Sequence, residues 1–275
     1  MRFPDNWDEL HGGRLQQLVP IAEAAGRSTL AYFGNSELSV ESKADASPVT
    51  AADRHAEQLV RKKVLESFPQ DEVLGEEFAV HVGTTGYRWI VDPIDGTKSF
   101  VAGVPLYSTL LALEFNDQPI GGVIFIPALQ ECVAAAKGLG AWHRKSGGED
   151  WFKAEVSQRR KLSEAIFVTS QVDSFDKIDA QEIYQAIQRQ AWITRTWGDG
   201  YGYLLVATGR ADIMIDPVVN AWDIAAIRPI LEEAGGRFSD WSGTPTTRGE
   251  NAVGTNRKLH KEVMAILTRE ATQRV

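Results

Sequence analysis

Apolar positions follow helical spacing over the first quarter of the chain and then change to short strand-like runs. Leu10, Leu15, Leu18, Val19, Ala22, Ala25, Leu30 and Phe33 recur roughly a helical turn apart, which predicts an N-terminal helix interrupted near Gly12-Gly13 and Pro20. Residues 50–68 predict a second, amphipathic helix with Ala52, Ala56, Leu59, Val60, Val64 and Phe68 on its inner stripe. From position 89 the pattern becomes β-rich. Runs at 89–91, 106–115, 120–126 and 132–136, separated by turn signals at Asn116-Asp117 and Pro127, predict an antiparallel sheet. The polar stretch 143–150 predicts a long surface loop. Beyond it, strands expected at 166–169, 192–194 and 211–215 alternate with helices expected at 175–190, 201–207, 222–234 and 258–269. Gly235-Gly236 closes the penultimate helix, and Pro229 within it is expected to bend it.

An antiparallel first half and an alternating second half predict an α+β protein of stacked sheet and helix layers. At 275 residues the chain is long enough for one compact unit or two closely packed subdomains, here expected at 1–145 and 146–275. The net charge of −8 argues against a nucleic-acid partner, because such binders carry a basic face. Cys132 stands alone, which excludes an internal disulfide framework and suits a reducing compartment. The segment 1–6 lacks the apolar core of a signal peptide, and the best apolar run, 122–129, is too short for a bilayer and contains Pro127. The expectation is a cytoplasmic protein that engages no membrane.

One stretch carries most of the chemistry: Trp89-Ile90-Val91-Asp92-Pro93-Ile94-Asp95-Gly96-Thr97-Lys98-Ser99-Phe100. An apolar strand ends in two carboxylates three residues apart, followed at once by Gly-Thr. Pro93 has no N–H to donate, so the chain is expected to leave the ladder just after Asp92. The resulting loop can turn both carboxylates and the Ile94 carbonyl toward one point, which suits a hard divalent ion such as Mg²⁺. Gly96 and Thr97 offer backbone N–H groups and a hydroxyl for a phosphate beside it. The same residues also suit a plain surface turn. Val73-Leu74-Gly75-Glu76-Glu77 is a second short strand ending in carboxylates, and Asp223 opens a predicted helix. Alone, Glu76 and Glu77 fit a solvated turn, and Asp223 fits a helix cap. The histidines His11, His55, His81, His143 and His260 are scattered without ligand spacing, which argues against a histidine–zinc site.

Taken together, Lys43, Val49-Thr50-Ala51-Ala52-Asp53, Gly75-Glu76-Glu77, the 89–100 stretch, Trp222-Asp223-Ile224-Ala225-Ala226 and Glu233-Ala234-Gly235-Gly236 match one family in content and order. From about Lys43 to Gly236 the chain resembles the inositol monophosphatase-like family of Mg²⁺-dependent, lithium-sensitive phosphatases. The resemblance implies an αβαβα layered sandwich and commonly a homodimer. It implies two or three Mg²⁺ ions held by Glu76, Asp92, the Ile94 carbonyl, Asp95 and Asp223, with Thr97 close by. It further implies that Asp53 lies next to Thr97 and orients the attacking water, giving Glu76, Thr97 and Asp53 catalytic roles. A catalytically silent relative would be free to lose these carboxylates, and none is missing.

The substrate implied is a small phosphate monoester. Lys98-Ser99-Phe100-Val101-Ala102-Gly103-Val104-Pro105 and the Gly198-Asp199 pair are most similar to the histidinol-phosphatase branch. Seven residues before Asp223 the family usually has Glu contacting the substrate alcohol; here Asp216 is a shorter carboxylate. Substrate contacts are therefore expected from Asp95, Gly96, Thr97, Gly198, Asp199, Asp216 and Asp223, with the alternative that Asp199 merely caps the helix beginning near Tyr201. Inositol 1-phosphate is the main competitor. Fructose 1,6-bisphosphate and 3′-phosphoadenosine 5′-phosphate would need cations for a second phosphate, for which Arg195, Arg210 and Arg228 are the candidates.

Overall fold

The computed structural model describes residues 7, 11–35, 40–42 and 48–272. Leu10, Lys43 and the segment 1–6, singled out above, lie outside the described residues. A 3-10 turn at His11–Gly13 leads into α1 (Arg14–Thr29), then the paired strands β1 (Val40–Ser42) and β2 (Pro48–Thr50), and α2 (Ala51–Ser67). Next come β3 (Glu72–Gly75), β4 (Tyr87–Asp95), α3 (Thr97–Val101), β5 (Ser108–Phe115), β6 (Gln118–Ile126), β7 (Glu131–Ala136), β8 (Gly140–Arg144) and β9 (Trp151–Lys153). The remainder is β10 (Ile166–Val168), α4 (Asp173–Lys177), α5 (Gln181–Gln190), β11 (Ile193–Arg195), α6 (Asp199–Ala207), β12 (Ile213–Asp216), α7 (Ala221–Ile224), α8 (Ile227–Glu233), β13 (Arg237–Ser239), β14 (Ala252–Thr255) and α9 (His260–Thr272).

Strands β3 to β9 form a seven-stranded sheet in sequence order, antiparallel except for the parallel β3–β4 pair. Side chains alternate across a strand, and the sheet uses both sets. Trp89, Val91, Leu111, Leu113, Val123 and Phe125 pack with Leu15, Leu18, Ala22, Val60 and Val64 of α1 and α2. Ile90, Leu110, Ala112, Ile124 and Ile126 face the other way, onto Leu204, Ile224, Ile227 and Ile230 of α6, α7 and α8. A second sheet, ordered β11-β10-β12-β14-β13, lays Val168, Met214 and Ala252 on that same middle helix layer. Its outer face puts Phe167, Ile213, Ile215 and Val253 against α5 and α9. The layers read αβαβα, as expected. The second sheet is mixed, since β12–β14 and β13–β14 are antiparallel. Among the described residues no helix is long and apolar enough to cross a membrane.

Several local expectations change. The break at Gly12-Gly13 occurs, but α1 runs through Pro20. Pro20 and Gln16 are both exposed, so the carbonyl that loses its partner faces water. The predicted helix 222–234 is two helices, and Pro229 falls in the first turn of α8, where its missing N–H matters little. The helix expected over 175–190 is likewise divided into α4 and α5. The loop expected at 143–150 shortens, because His143 and Arg144 belong to β8, and β9 extends the first sheet to Lys153.

Asp71 ties α1 to the sheet beside these cores. Its buried carboxylate accepts Arg14 Nε at 2.7 Å, Arg14 Nη2 at 2.9 Å, Thr85 Oγ1 at 2.7 Å and Trp89 Nε1 at 3.0 Å. Removing it strands a half-buried guanidinium and an indole N–H. Asp71→Ala is expected to destabilise the protein by about 3–5 kcal/mol in urea denaturation; a loss within experimental error of zero would show that the hub is not structural.

Candidate active site

β4 starts as a regular strand and ends as the scaffold of the site. Asp92 pairs with Leu110 and Asp95 with Ser108, so three steps along β4 oppose two along β5. The chain does not leave the ladder after Asp92, as Pro93 suggested; it bulges and rejoins at Asp95. In a regular strand side chains three apart point to opposite faces, and the extra residue turns Asp95 back to the face of Asp92. Asp92 Oδ1 accepts the Ile94 N–H at 3.0 Å, and the Thr97 hydroxyl donates to the Ile94 carbonyl at 3.1 Å. Asp95 Oδ2 accepts the Ser108 hydroxyl at 2.6 Å and the Gly200 N–H. Gly96 follows with φ of 82° and opens α3.

Asp223 arrives from the other half of the chain. It stands at the third position of α7 and closes a capping box, its Oδ2 accepting the Asn220 N–H at 2.7 Å. The N-cap is Asn220 rather than Asp223, and the Asp223 carboxylate also faces the cluster. One carboxylate oxygen each from Asp92, Asp95 and Asp223 lie within 4.8 Å of one another. Glu76 emerges beside them, because β3 pairs with β4 in a register that sets Gly75 against Val91. Among the described residues no ion pair reaches Asp92, Asp95 or Asp223. Burial, followed by the charges of Glu76, Asp95 and Asp223, pushes the Asp92 carboxyl well up. Burial and then Asp199 and Asp223 do the same to Asp95, and Asp223 is pushed up to about 6 by burial first and then Glu76. Crowded, buried oxygens of one sign, ion-paired to no cation among the described residues, fit a hard divalent ion, which would offset their repulsion.

Asp53, expected beside Thr97 to orient the attacking water, is anchored locally through one oxygen. Its Oδ2 accepts the Thr50 N–H at 2.8 Å and hydroxyl at 2.6 Å as the capping box of α2, while its buried Oδ1 has no hydrogen-bond partner among the described residues. Asp199 makes no helix-capping hydrogen bond, although it is the first residue of α6. Its carboxylate lies against Gly96, and its pKa is raised by burial and drawn back by Ser170 and Lys98. Gly198 packs directly on the Ser170 backbone, where a Cβ would lie 2.2 Å from Ser170 Cα; its place in the site is steric.

The cleft, about 330 Å³, is lined by Glu76, Asp92, Ile94, Asp95, Gly96, Thr97, Asp199 and Asp223. An adjoining hollow of about 170 Å³ adds Asp216, Tyr203 and Val219. Burial, with the Asp199 charge added, pushes Asp216 up to about 7. Ser170 joins the two acids: its hydroxyl donates to Asp216 Oδ1 at 2.6 Å and accepts the Asp199 N–H at 2.8 Å. Ser170, Gln171 and Ser174 line both spaces and were not anticipated. The available signal was position: Ser170 follows the end of β10, a strand with parallel neighbours on both sides, where such sheets receive ligands.

A layered α+β fold with a carboxylate cluster at converging strand ends defines a metal-dependent phosphomonoesterase. Residues 14–273 match the model of the inositol monophosphatase family, and the chain belongs to that family. A protein of Chlorobaculum parvum named histidinol-phosphatase is 40% identical over 254 residues, covering 92% of this chain and 96% of its own. An inositol-1-monophosphatase of Rhizobium meliloti is 32% identical, covering 93% and 96%. The solved structure of a Thermotoga maritima IMPase superposes with a TM-score of 0.83 at 28% identity, covering 94% and 98%.

The raised carboxyl pKa values set a sign for stability. A carboxylate that binds its proton more tightly when folded contributes fully below its unfolded pKa, about 3.9, and loses that contribution as pH rises through the folded value. For Asp223 and Asp216 the folded values are about 6 and about 7. Metal-free protein should therefore lose stability from this cluster between about pH 4 and 7. Asp92→Asn should match the parent at the acid end and exceed it at pH 8 by about 1–3 kcal/mol, read as the difference in melting temperature in EDTA. A mutant less stable than the parent at pH 8 would contradict the repulsion described here.

Proposed function

We propose that this phosphomonoesterase hydrolyses histidinol phosphate with two or three Mg²⁺ ions held by Glu76, Asp92, the Ile94 carbonyl, Asp95 and Asp223. The observation that carries the substrate is the pair of acids outside the metal cluster, Asp199 and Asp216, joined through Ser170 beside the cleft. Histidinol phosphate bears an ammonium and an imidazole, and a carboxylate wall suits both. Relatives named histidinol-phosphatase at 38–40% identity support the same choice.

When bound, the divalent ions neutralise the phosphate, lower the pKa of an attacking water and offset charge on the leaving alkoxide. The chain supplies position. Ser108 and the Gly200 N–H fix Asp95, Asn220 fixes Asp223, and the Ile94 N–H fixes Asp92. The backbone N–H groups of Gly96 and Thr97 take phosphate oxygens at the start of α3. Asp53 Oδ1, buried and without a partner among the described residues, accepts a hydrogen bond from the attacking water and orients it. Residues 1–145 thus handle the phosphate, and 146–275 contribute Asp223 and the alcohol-binding wall. A homodimer is the assembly we infer, with Trp192 and Trp197, 64% and 41% exposed beside edge strand β11, as apolar area for it. A single buried cysteine suits the cytoplasm.

Inositol 1-phosphate is the second reading, favoured by the 32% identical relative of that name. Bisphosphate substrates have less support. Arg210 is paired with Glu131, Arg228 with Glu232, and Arg195 donates to the Thr194 carbonyl.

EDTA should abolish activity and Mg²⁺ restore it, and Asp95→Asn should lower kcat by more than about a hundredfold with the fold intact. Near-normal turnover by that variant at millimolar Mg²⁺ would remove Asp95 from the ligand set. In a panel with inositol 1-phosphate, fructose 1,6-bisphosphate and 3′-phosphoadenosine 5′-phosphate, histidinol phosphate should give the highest kcat/KM. Asp216→Asn should cost roughly ten- to a hundredfold on it and far less on glycerol 2-phosphate. Equal losses on both esters would assign Asp216 to the fold or the metal site, and faster turnover of inositol 1-phosphate would favour the second reading.

A further inference from the structure

Glu57 lies on the inner face of α2, between core residues Ala56 and Val60, with no exposed side-chain surface. Both of its oxygens are occupied: Oε1 accepts Arg61 Nε at 2.8 Å, and Oε2 accepts the Glu77 backbone N–H at 2.7 Å. Arg61, one helical turn on, reaches past it and donates from Nη2 to the Phe78 carbonyl at 3.1 Å. Helix α2 therefore grips the backbone at two successive residues just beyond Glu76. A third constraint is steric. An ideal Cβ on Gly75 would sit 2.2–2.6 Å from the Glu57 carboxylate atoms, so the acid fits only against bare backbone. Gly75 in turn is registered against Val91, one residue before Asp92.

We propose that Glu57 and Arg61 are positioning residues for the active site, forming an ion-paired clamp that sets the place of Glu76 and hence the strength of metal binding. The inference rests on reading Glu76 as a metal ligand. Glu76 stands close to Asp92 and Asp223, and like charges drive a carboxylate on a turn outward to water. Two backbone hydrogen bonds from buried or nearly buried side chains oppose that swing. Arg61 balances the charge of Glu57, so the clamp adds no net negative charge beside the cluster. The sequence offered no sign of this, because Glu57 reads as one more polar residue on an amphipathic helix.

The test is the Mg²⁺ concentration giving half-maximal thermal stabilisation of metal-free protein, with circular dichroism to verify folding. Glu57→Ala should weaken Mg²⁺ binding roughly 10–100-fold, as loss of a group supporting a ligand does. Glu57→Gln, which keeps an acceptor oxygen for Glu77, should weaken it roughly 2–10-fold and carries the test if the alanine variant does not fold. KM for the phosphate ester at saturating Mg²⁺ should not move. Glu57→Gln combined with Glu76→Gln should bind no more weakly than Glu76→Gln alone, since the clamp acts through Glu76. A folded Glu57 variant with parental Mg²⁺ affinity overturns the proposal, as do additive losses in the double variant. If Glu76→Gln itself binds Mg²⁺ like the parent, the ligand reading fails and the clamp has nothing to position.

Discussion

Mutual repulsion among buried carboxylates is the constraint around which this molecule is built. Glu76, Asp92, Asp95, Asp199 and Asp223 face one cleft, Asp216 borders it, and among the described residues Lys98 is the one basic side chain in its lining. Left alone, such groups would turn to solvent or take up protons. The structure answers with hydrogen bonds that cost each acid something to leave: Ser108 and Gly200 on Asp95, Ser170 on Asp216, Asn220 on Asp223, and the Ile94 N–H on Asp92. The remaining repulsion is what fits the cluster for a metal cation, which would offset it.

The layers serve this arrangement. The middle helices α6, α7 and α8 are shared by both sheets, so a residue at the start of α6 or on α7 is held against strand ends from either side. Gly200 on α6 bonds to Asp95 of β4, and Asp223 on α7 completes a cluster begun on β4. The cleft can be polar and crowded because the cores above and below it are closed. Ile90, Leu110 and Ile124 on one side, and Val168 and Met214 on the other, seal the helix layer with apolar contacts that do not depend on the site.

Much of the fold was legible because it depends on local periodicity. The inner stripe of α2, the continuous apolar runs of β5 and β6, and the closure of α8 by Gly235-Gly236 are all properties of neighbouring residues. Errors fell where solvent exposure or tertiary pairing decided. Pro20 breaks nothing because its side of α1 faces water, and β4 continues past Pro93 because β5 absorbs the extra residue as a bulge. The site was legible in its acids and illegible in their supports. Ser108, Ser170 and Asn220 are ordinary small polar residues with no pattern of their own, and the burial of Glu57 contradicts its residue type.

By itself the sequence determined the chemistry: which acids are present, their order, and the strand-then-helix contexts that carry them. Those features follow from side-chain type and from interactions a few residues long. Only the tertiary structure decided that Asp92 and Asp95 share a face and that Asp223 joins them from the far half. Each of these depends on strand register or helix packing between segments distant in the chain. No local rule encodes a distance between residues 92 and 223; the closing of two hydrophobic cores around a shared helix layer does.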